Sequence, residues 1–238
     1  MKLFYAARNI LSRRLFSALR EYCRGNVLDV GGWGFYRTAS RRGIRFDHWT
    51  ILEYGAGLTD KSRSEVTVEY GNGCDMKYPP GSFDTVLNIQ VLEHVFSPNL
   101  MIAEMCRVLR PGGNLIMLIP QTSTLHMVPN HYYNFTRFWI EEAMRRNGME
   151  VLELVPLGGV WRSMASHLIY AVFQAMRTGY VSPKEIRRPL LFYPLLPLML
   201  AFTLAAVPAC LLFSLGDLEE EANNHLVVAR KPIAEATQ

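Results

Sequence analysis

Between Asn26 and Pro120 the sequence alternates strand-length apolar runs with turn or helix signals, and no other feature narrows the possible folds so far. Val27 to Val30 is a short buried-strand run stopped by Gly31-Gly32-Trp33-Gly34. Trp49 to Glu53, Glu65 to Tyr70 and Phe83 to Ile89 read as three further strands. Pro98 to Leu109 has the apolar spacing of a helix and ends at Arg110-Pro111-Gly112-Gly113, where proline and glycine stop it before a fifth strand from Asn114 to Pro120. Thr136 to Asn147 reads as a helix, Met149 to Val155 as a sixth strand and His225 to Arg230 as a last one. Such alternation calls for an α/β fold, a mostly parallel sheet of about seven strands with helices on both faces.

A chain of 238 residues, half of them hydrophobic and 19% charged, is long enough for one such domain with a sizeable core, and too apolar for a disordered tail. Cys23, Cys74, Cys106 and Cys210 lie far apart and form no C-x-x-C pair or Cys/His cluster, so no metal site is expected and a reducing compartment fits best. The basic charge sits in one arm: Lys2, Arg8, Arg13, Arg14, Arg20 and Arg24 face only Glu21 within the first 24 residues, and the remainder is close to neutral. With no nucleic-acid-binding motif beside it, that arm argues against a nucleic-acid partner. Wound at 100° per residue, it places Phe4, Leu11, Leu15, Ala18, Leu19 and Tyr22 opposite Arg13, Arg20 and Arg24. An amphipathic helix of this kind either covers the sheet or lies on an anionic membrane. Arg8, Arg13 and Arg14 interrupt the apolar core that a signal peptide needs, so a cytoplasmic chain is expected.

Glycines directly after a first strand let a ligand approach the backbone, and a nucleotide-type cofactor is the natural occupant. Glu53 follows Asp29 at near the spacing that brings an acid to ribose hydroxyls. A nicotinamide oxidoreductase would need G-x-G-x-x-G, and the registers here put Trp33 and Tyr36, or else Arg37, where glycines should stand. Val27 to Gly34 (VLDVGGWG) instead resembles motif I of class I S-adenosylmethionine-dependent methyltransferases, and further motifs of the type 11 group follow in order. Gly71-Asn72-Gly73-Cys74, Pro80 to Asp84 (PGSFD), Gln90 to Val95 (QVLEHV) and Arg107 to Gly113 (RVLRPGG) are similar to the family's successive segments, and Leu226 to Pro232 to its last strand. The resemblance covers residues 26 to about 155 and implies a Rossmann-like fold, S-adenosylmethionine as cofactor, and Asp29, Gly31, Gly32, Gly34, Glu53, Asn72, Gly73 and Gln90 as the cofactor-binding set. Two departures stand out: the glycine turn is one residue short and carries Trp33, and Asn72 replaces an aspartate, keeping an oxygen that can accept from adenine.

Methyl transfer from a sulfonium is an in-line displacement in which the protein chiefly aligns the reactants, and no metal is needed in principle. A hydroxyl acceptor would be helped by a base, for which His94, His126 and His131 are candidates, with Glu93 as an orienting residue. His94 equally suits a loop brace. The polar, aromatic loop Leu125 to Thr136 follows the fifth strand. In the resembling group it holds an H-D-Y-W-R-[FY]-T-like run near the acceptor, of which Tyr132, Phe135 and Thr136 match, while Asn130 and His131 stand where His and Asp would. The expected catalytic candidates are therefore His94, His131 and Tyr132. The competing reading makes Thr136 a helix N-cap and the aromatics a cover for the core.

Pro189 to Gly216 holds no charged residue and, fully helical, would reach about 42 Å at 1.5 Å per residue. One crossing of a bilayer would strand the last strand on the far side, and two would need about 40 residues. Pro194, Pro197 and Pro208 are expected to break the segment, leaving Leu198 to Val207 as its longest helix. A peripheral or re-entrant anchor, flanked by Lys184, Arg187 and Arg188, competes with a buried cap or dimer face. Trp161, Met164, Leu168, Val172 and Phe173 either share that surface or cover the sheet. The expected organisation is a basic helix (1–25), a methyltransferase core (26–158), an apolar helical insert (159–222) and a last strand with its tail (223–238). The expected function is methyl transfer to a small or lipid-linked acceptor, in the cytoplasm or at the inner membrane face. The alternatives are a catalytically silent cofactor-binding scaffold and an NAD(P)-dependent oxidoreductase.

Overall fold

The computed structural model describes residues 13–55, 64–176 and 189–233. Its sheet contains β1 (Asn26–Val30), β2 (His48–Glu53), β3 (Val66–Tyr70), β4 (Phe83–Ile89), β5 (Leu109–Pro120), β6 (Glu150–Leu157) and β7 (Asn224–Arg230), in the order β3-β2-β1-β4-β5-β7-β6. Only β7 runs against its neighbours, between β5 and β6. The chain order reverses between β1 and β4, and in open α/β sheets ligands bind outside the carboxyl ends of the strands at such a switch point.

Successive strand residues face opposite sides, and both sides are covered, which is why these strands read as unbroken apolar runs. Val27, Trp49 and Ile51 pack against α1 (13–22) and α2 (Phe35–Arg41). Leu28, Val30 and Val86 pack on the other side against α3 (Pro98–Val108) and α4 (Arg137–Arg146). In α1 the stripe Leu15, Ala18 and Leu19 is buried in this core while Arg13 and Arg20 are exposed. Over its described part, the helix covers the sheet; Phe4 and Leu11 lie outside the described residues.

β5 begins five residues earlier than the sequence suggests. Leu109 pairs with Phe83 and Asn114 with Thr85, so the Arg-Pro-Gly-Gly segment bulges out of the ladder without ending it, with Gly112 at φ 75°. A bulge absorbs extra residues where a proline lacks a donor and a glycine can take positive φ.

The apolar insert departs from expectation in a second way. α6 (Phe192–Phe213) runs without a break through Pro197 and Pro208. Pro194 lies in its first turn, where the amide has no helical acceptor anyway. Each interior proline removes one hydrogen bond, and the bonds on either side carry the helix past it. α5 (Val160–Met176) lies antiparallel beside α6: Trp161 meets Phe213 with ring centroids 4.9 Å apart, and Leu168 and Val172 share a crevice with Leu196 and Phe202. The base of this hairpin is tied by Asp217, whose carboxylate accepts from the amides of Trp161 (2.8 Å) and Arg162 (3.2 Å). Trp161, Leu168 and Val172 thus share the α6 surface, and the Phe173 side chain lies outside the described residues. Of α6 itself only Cys210 is buried, and Leu198, Phe202, Leu204 and Leu212 stand exposed. Lys184, Arg187 and Arg188 lie outside the described residues.

Candidate active site

Parallel strands bring their carboxyl ends to one edge, so the segments after β1 to β5 meet there although they span more than a hundred residues. The glycine turn is built from below. Asp29 is wholly buried: Trp49 Nε1 donates to its Oδ2 at 3.2 Å, and its Oδ1 has no partner. A Cβ on Gly32 would fall 1.9 Å from that carboxylate, so only glycine fits over it. Burial pushes the Asp29 carboxyl up to about 7, against the pull of the Trp49 N–H. Asp29 therefore braces the turn from inside and offers no surface to the cleft.

Gly31, at φ 74°, passes against Val91, 2.7 Å from where its Cβ would stand, whereas nothing lies within 4 Å of a Cβ on Gly34. Glu53 reaches back from the end of β2: its Oε1 accepts from Trp33 N at 2.5 Å, and among the described residues nothing engages Oε2. Glu53 is buried, which raises its carboxyl pKa while the Trp33 N–H opposes the rise. The Trp33 side chain is 60% exposed, so its indole is not packed into the turn. After β3, Gly73 is buried under Met101, 2.5 Å from a Cβ position. Asn72 uses its carbonyl oxygen to accept from Cys74 N at 2.9 Å. That leaves its two amide hydrogens and the second lone pair of the oxygen to meet a base.

Gln90, the residue after β4, stands at φ 58° and donates from Nε2 to Asn224 Oδ1 at 2.6 Å. Trp33, Gln90 and Met127 are the non-glycine residues with positive φ among the described ones, and all three stand at this edge. Strained backbone of this kind collects where a site dictates geometry.

Beyond Gln90 a single 3-10 turn (Leu92–His94) meets the loop after β5. Tyr132 N donates to Glu93 O at 2.9 Å, and Tyr133 Oη to Phe96 O at 3.0 Å, pinning the loop. The rings of His94, His126 and His131 cluster with centroids 4.6 to 5.6 Å apart. His131 has both nitrogens occupied: Nδ1 accepts from His126 N, and Nε2 donates to Ser123 Oγ, whose own hydrogen goes to Asn134. Burial and the neighbouring His126 keep His131 below its ordinary pKa. Tyr132 is exposed and donates to Asn130 Oδ1 at 3.1 Å. Thr136 does cap α4, accepting from Trp139 N, and Phe135 is buried in the core. The loop is thus half structural and half a polar roof.

Glu93 is fully buried, and neither carboxylate oxygen has a hydrogen-bond partner. Burial pushes its carboxyl up to about 7, its own amide pulling weakly the other way. His94 is held below its usual pKa, chiefly by burial. The sequence marked Glu93 as an orienting group, but its convergence with His94 and His126 depends on how the two loops meet, and the Glu-His pair is the only linear trace of it.

Residues 37–117 match the family model described as a methyltransferase domain. A probable S-adenosylmethionine-dependent methyltransferase of Mycolicibacterium smegmatis is 28% identical, over 58% of this chain and 57% of that one. The chain spans less than half the length of four further curated relatives. Geranyl diphosphate methyltransferase, solved in complex with S-adenosylmethionine, superposes with a TM-score of 0.59 at 14% identity, over 92% of this chain and 84% of that one. The [4+2]-cyclase SpnF superposes at 0.56 and 20% identity, over 93% and 81%. The fold is therefore the class I methyltransferase fold, and the family likeness read from the ordered motifs holds.

Proposed function

We propose that the protein is an S-adenosylmethionine-dependent methyltransferase whose acceptor is a small or lipid-linked molecule met at a membrane face. The observation that carries the first half is the turn Gly31–Gly34 clasped by Glu53 at the sheet's switch point. The residues fit the cofactor: Gly34 has open space around it, Glu53 keeps one carboxylate oxygen for ribose, Asn72 offers donors to adenine, and Gln90 and Gly73 line the same edge. The bound cofactor supplies an electrophilic methyl on sulfur. The chain's part is to hold the sugar and base, exclude water beneath the loop 121–136, and align an acceptor under that loop's polar groups. Asp29 and Gly32 act indirectly, by fixing the turn.

The membrane half rests on α6, which has no polar side. A helix apolar all round is at rest within a core, against another protein or in lipid, and this one is not in the core. Its 22 residues span about 33 Å, close to the thickness of a hydrocarbon layer. The hairpin returns the chain to its starting side, so α6 can enter lipid while β7 completes the sheet. A catalytically silent scaffold is the second reading, favoured by the turned Asn72 oxygen and by the cyclase that shares the fold.

Isothermal titration tests the assignment. S-adenosylmethionine binds wild type, and Glu53→Ala weakens binding about 10- to 100-fold, the loss expected for hydrogen bonds to a charged group. No heat from wild type, or an unchanged constant in the variant, removes the assignment's basis. Cofactor binding without turnover across hydroxyl, amine and lipid-linked acceptors selects the scaffold.

A further inference from the structure

The tautomers of two histidines expose a problem in the roof of the cleft. His94 Nδ1 lies 2.6 Å from Asn130 O, and His126 Nδ1 lies 2.9 Å from Thr124 O. A carbonyl oxygen can only accept, so each Nδ1 carries the ring proton and each neutral ring presents a bare lone pair at Nε2. Both lone pairs approach the same atom, Glu93 Oε1, at 3.7 Å from His94 and 3.9 Å from His126. Glu93 is itself an acceptor, fully buried and without a partner. With the carboxyl ionised and the rings neutral, three acceptors converge with no donor among them, an arrangement that costs several kcal/mol unless a proton or a cation joins it.

We propose that Glu93, His94 and His126 form a binding site for one divalent metal ion of the zinc and manganese class, held by the carboxylate and the two Nε2 atoms. The ligand atoms all lie within 4.8 Å of one another. Metal–ligand bonds of about 2.0–2.2 Å place tetrahedral ligands roughly 3.3–3.6 Å apart, so closure asks for shifts of a few tenths of an ångström to about an ångström. The outer contacts are those of metal sites: a ligating imidazole donates its other N–H to a backbone carbonyl, which fixes tautomer and ring direction. Two imidazoles and one carboxylate leave coordination positions open, the pattern of catalytic rather than structural sites. The site adjoins Gln90 and Val91, and Val91 packs on Gly31 of the glycine turn. On the methyl-transfer reading, on which this clause rests, an ion there selects acceptors that present an oxygen ligand, such as a hydroxyl, phenol or phosphate.

The test uses the full chain stripped with a chelator and titrated with zinc, manganese or cobalt ions alone, followed by calorimetry and, for cobalt, by its visible absorption. One equivalent binds per chain and cobalt develops the intense bands of a low-coordinate nitrogen/oxygen site. Glu93→Gln, and His126→Ala on the loop, each weaken binding by about 100-fold or more, beyond the 10–100-fold typical of outer-shell losses. S-adenosylmethionine titrations of the same proteins separate the two readings. Cofactor binding with no metal uptake by wild type, or metal binding unchanged in both variants, overturns the site and leaves the methyltransferase standing. Metal uptake without cofactor binding does the reverse. A proton shared between Glu93 and the histidines in place of an ion appears as absent uptake, and overturns the site equally.

Discussion

The cleft and the hairpin break opposite rules. Around the cleft, carboxylates are buried without the partners that buried charge demands: Asp29 keeps one oxygen unpaired and Glu93 both. Along α6, large apolar side chains stand in the open without the cover that apolar surface demands. A buried polar group and an exposed apolar patch are the two informative exceptions to ordinary burial. The apolar residues of the sheet obey the rules closely, with Leu28, Val86, Leu115 and Val227 wholly buried. The difference teaches that each region is incomplete as a bare chain, and in opposite senses: one awaits something polar, the other something oily.

The largest effect belongs to the oily side. Leu198, Phe202 and Leu212 are each more than 60% exposed, so changing all three to Glu disturbs little inside the domain. Wild type floats with phosphatidylcholine–phosphatidylglycerol vesicles, and the triple variant stays in the soluble fraction. At about 1.5–3 kcal/mol for each large apolar side chain buried, three such losses shift partition by more than a thousandfold. Flotation unchanged in the variant breaks the comparison. So does a wild type that ignores vesicles and forms dimers that the variant loses, which makes the face an interface between copies.

The next effect tests whether the polar side is as strained as its burial implies. Asp29 has its native pKa raised from 3.8 to about 7, so between those values the folded chain binds a proton that the unfolded chain has released. Stability from this group is complete below pH 4, falls as pH rises toward 7, and is flat above. Between pH 5 and pH 8 wild type loses on the order of 2–3 kcal/mol through Asp29 alone. Asp29→Asn cannot titrate, so the stability of the variant relative to wild type rises by that amount between pH 5 and pH 8. Urea unfolding of the cofactor-free proteins at the two pH values measures this. Equal differences at both mean that Asp29 is not the strained group.

The two regions also differ in how legible they were. Buried strands announce themselves as apolar runs, and β1, β2, β3, β4 and β7 lie within a residue of where the sequence puts them. The glycine turn was readable because its composition is its geometry. β5 was not, since a bulge at Arg110 to Gly113 looks identical to a stop until the register with Phe83 is known. α6 was misjudged because the penalty of a proline is local, one hydrogen bond each, while the helix is decided over 22 residues. Proton positions were beyond reach: Asn72 is turned by Cys74, and His94 and His126 are set by carbonyls of a loop whose packing no spacing encodes.

The smallest effect asks whether the hairpin is a part of the domain or a guest on it. Asp217 ties the first turn of α5 to the end of α6 by two hydrogen bonds to backbone amides, serving as an N-cap supplied from 56 residues away in sequence. Asp217→Ala frees those amides, and a lost cap of this type costs about 1 kcal/mol. Hydrogen exchange at Trp161 and Arg162 quickens several-fold, while S-adenosylmethionine affinity stays as in wild type, because the cleft depends on β1, β2 and the turns after β3 and β4. If lipid holds the hairpin, adding vesicles slows that exchange again, since the layer supplies the restraint that the carboxylate gave up. Exchange that stays slow in the variant without lipid assigns the base to packing, chiefly Trp161 on Phe213, and makes the hairpin an integral arm of the fold.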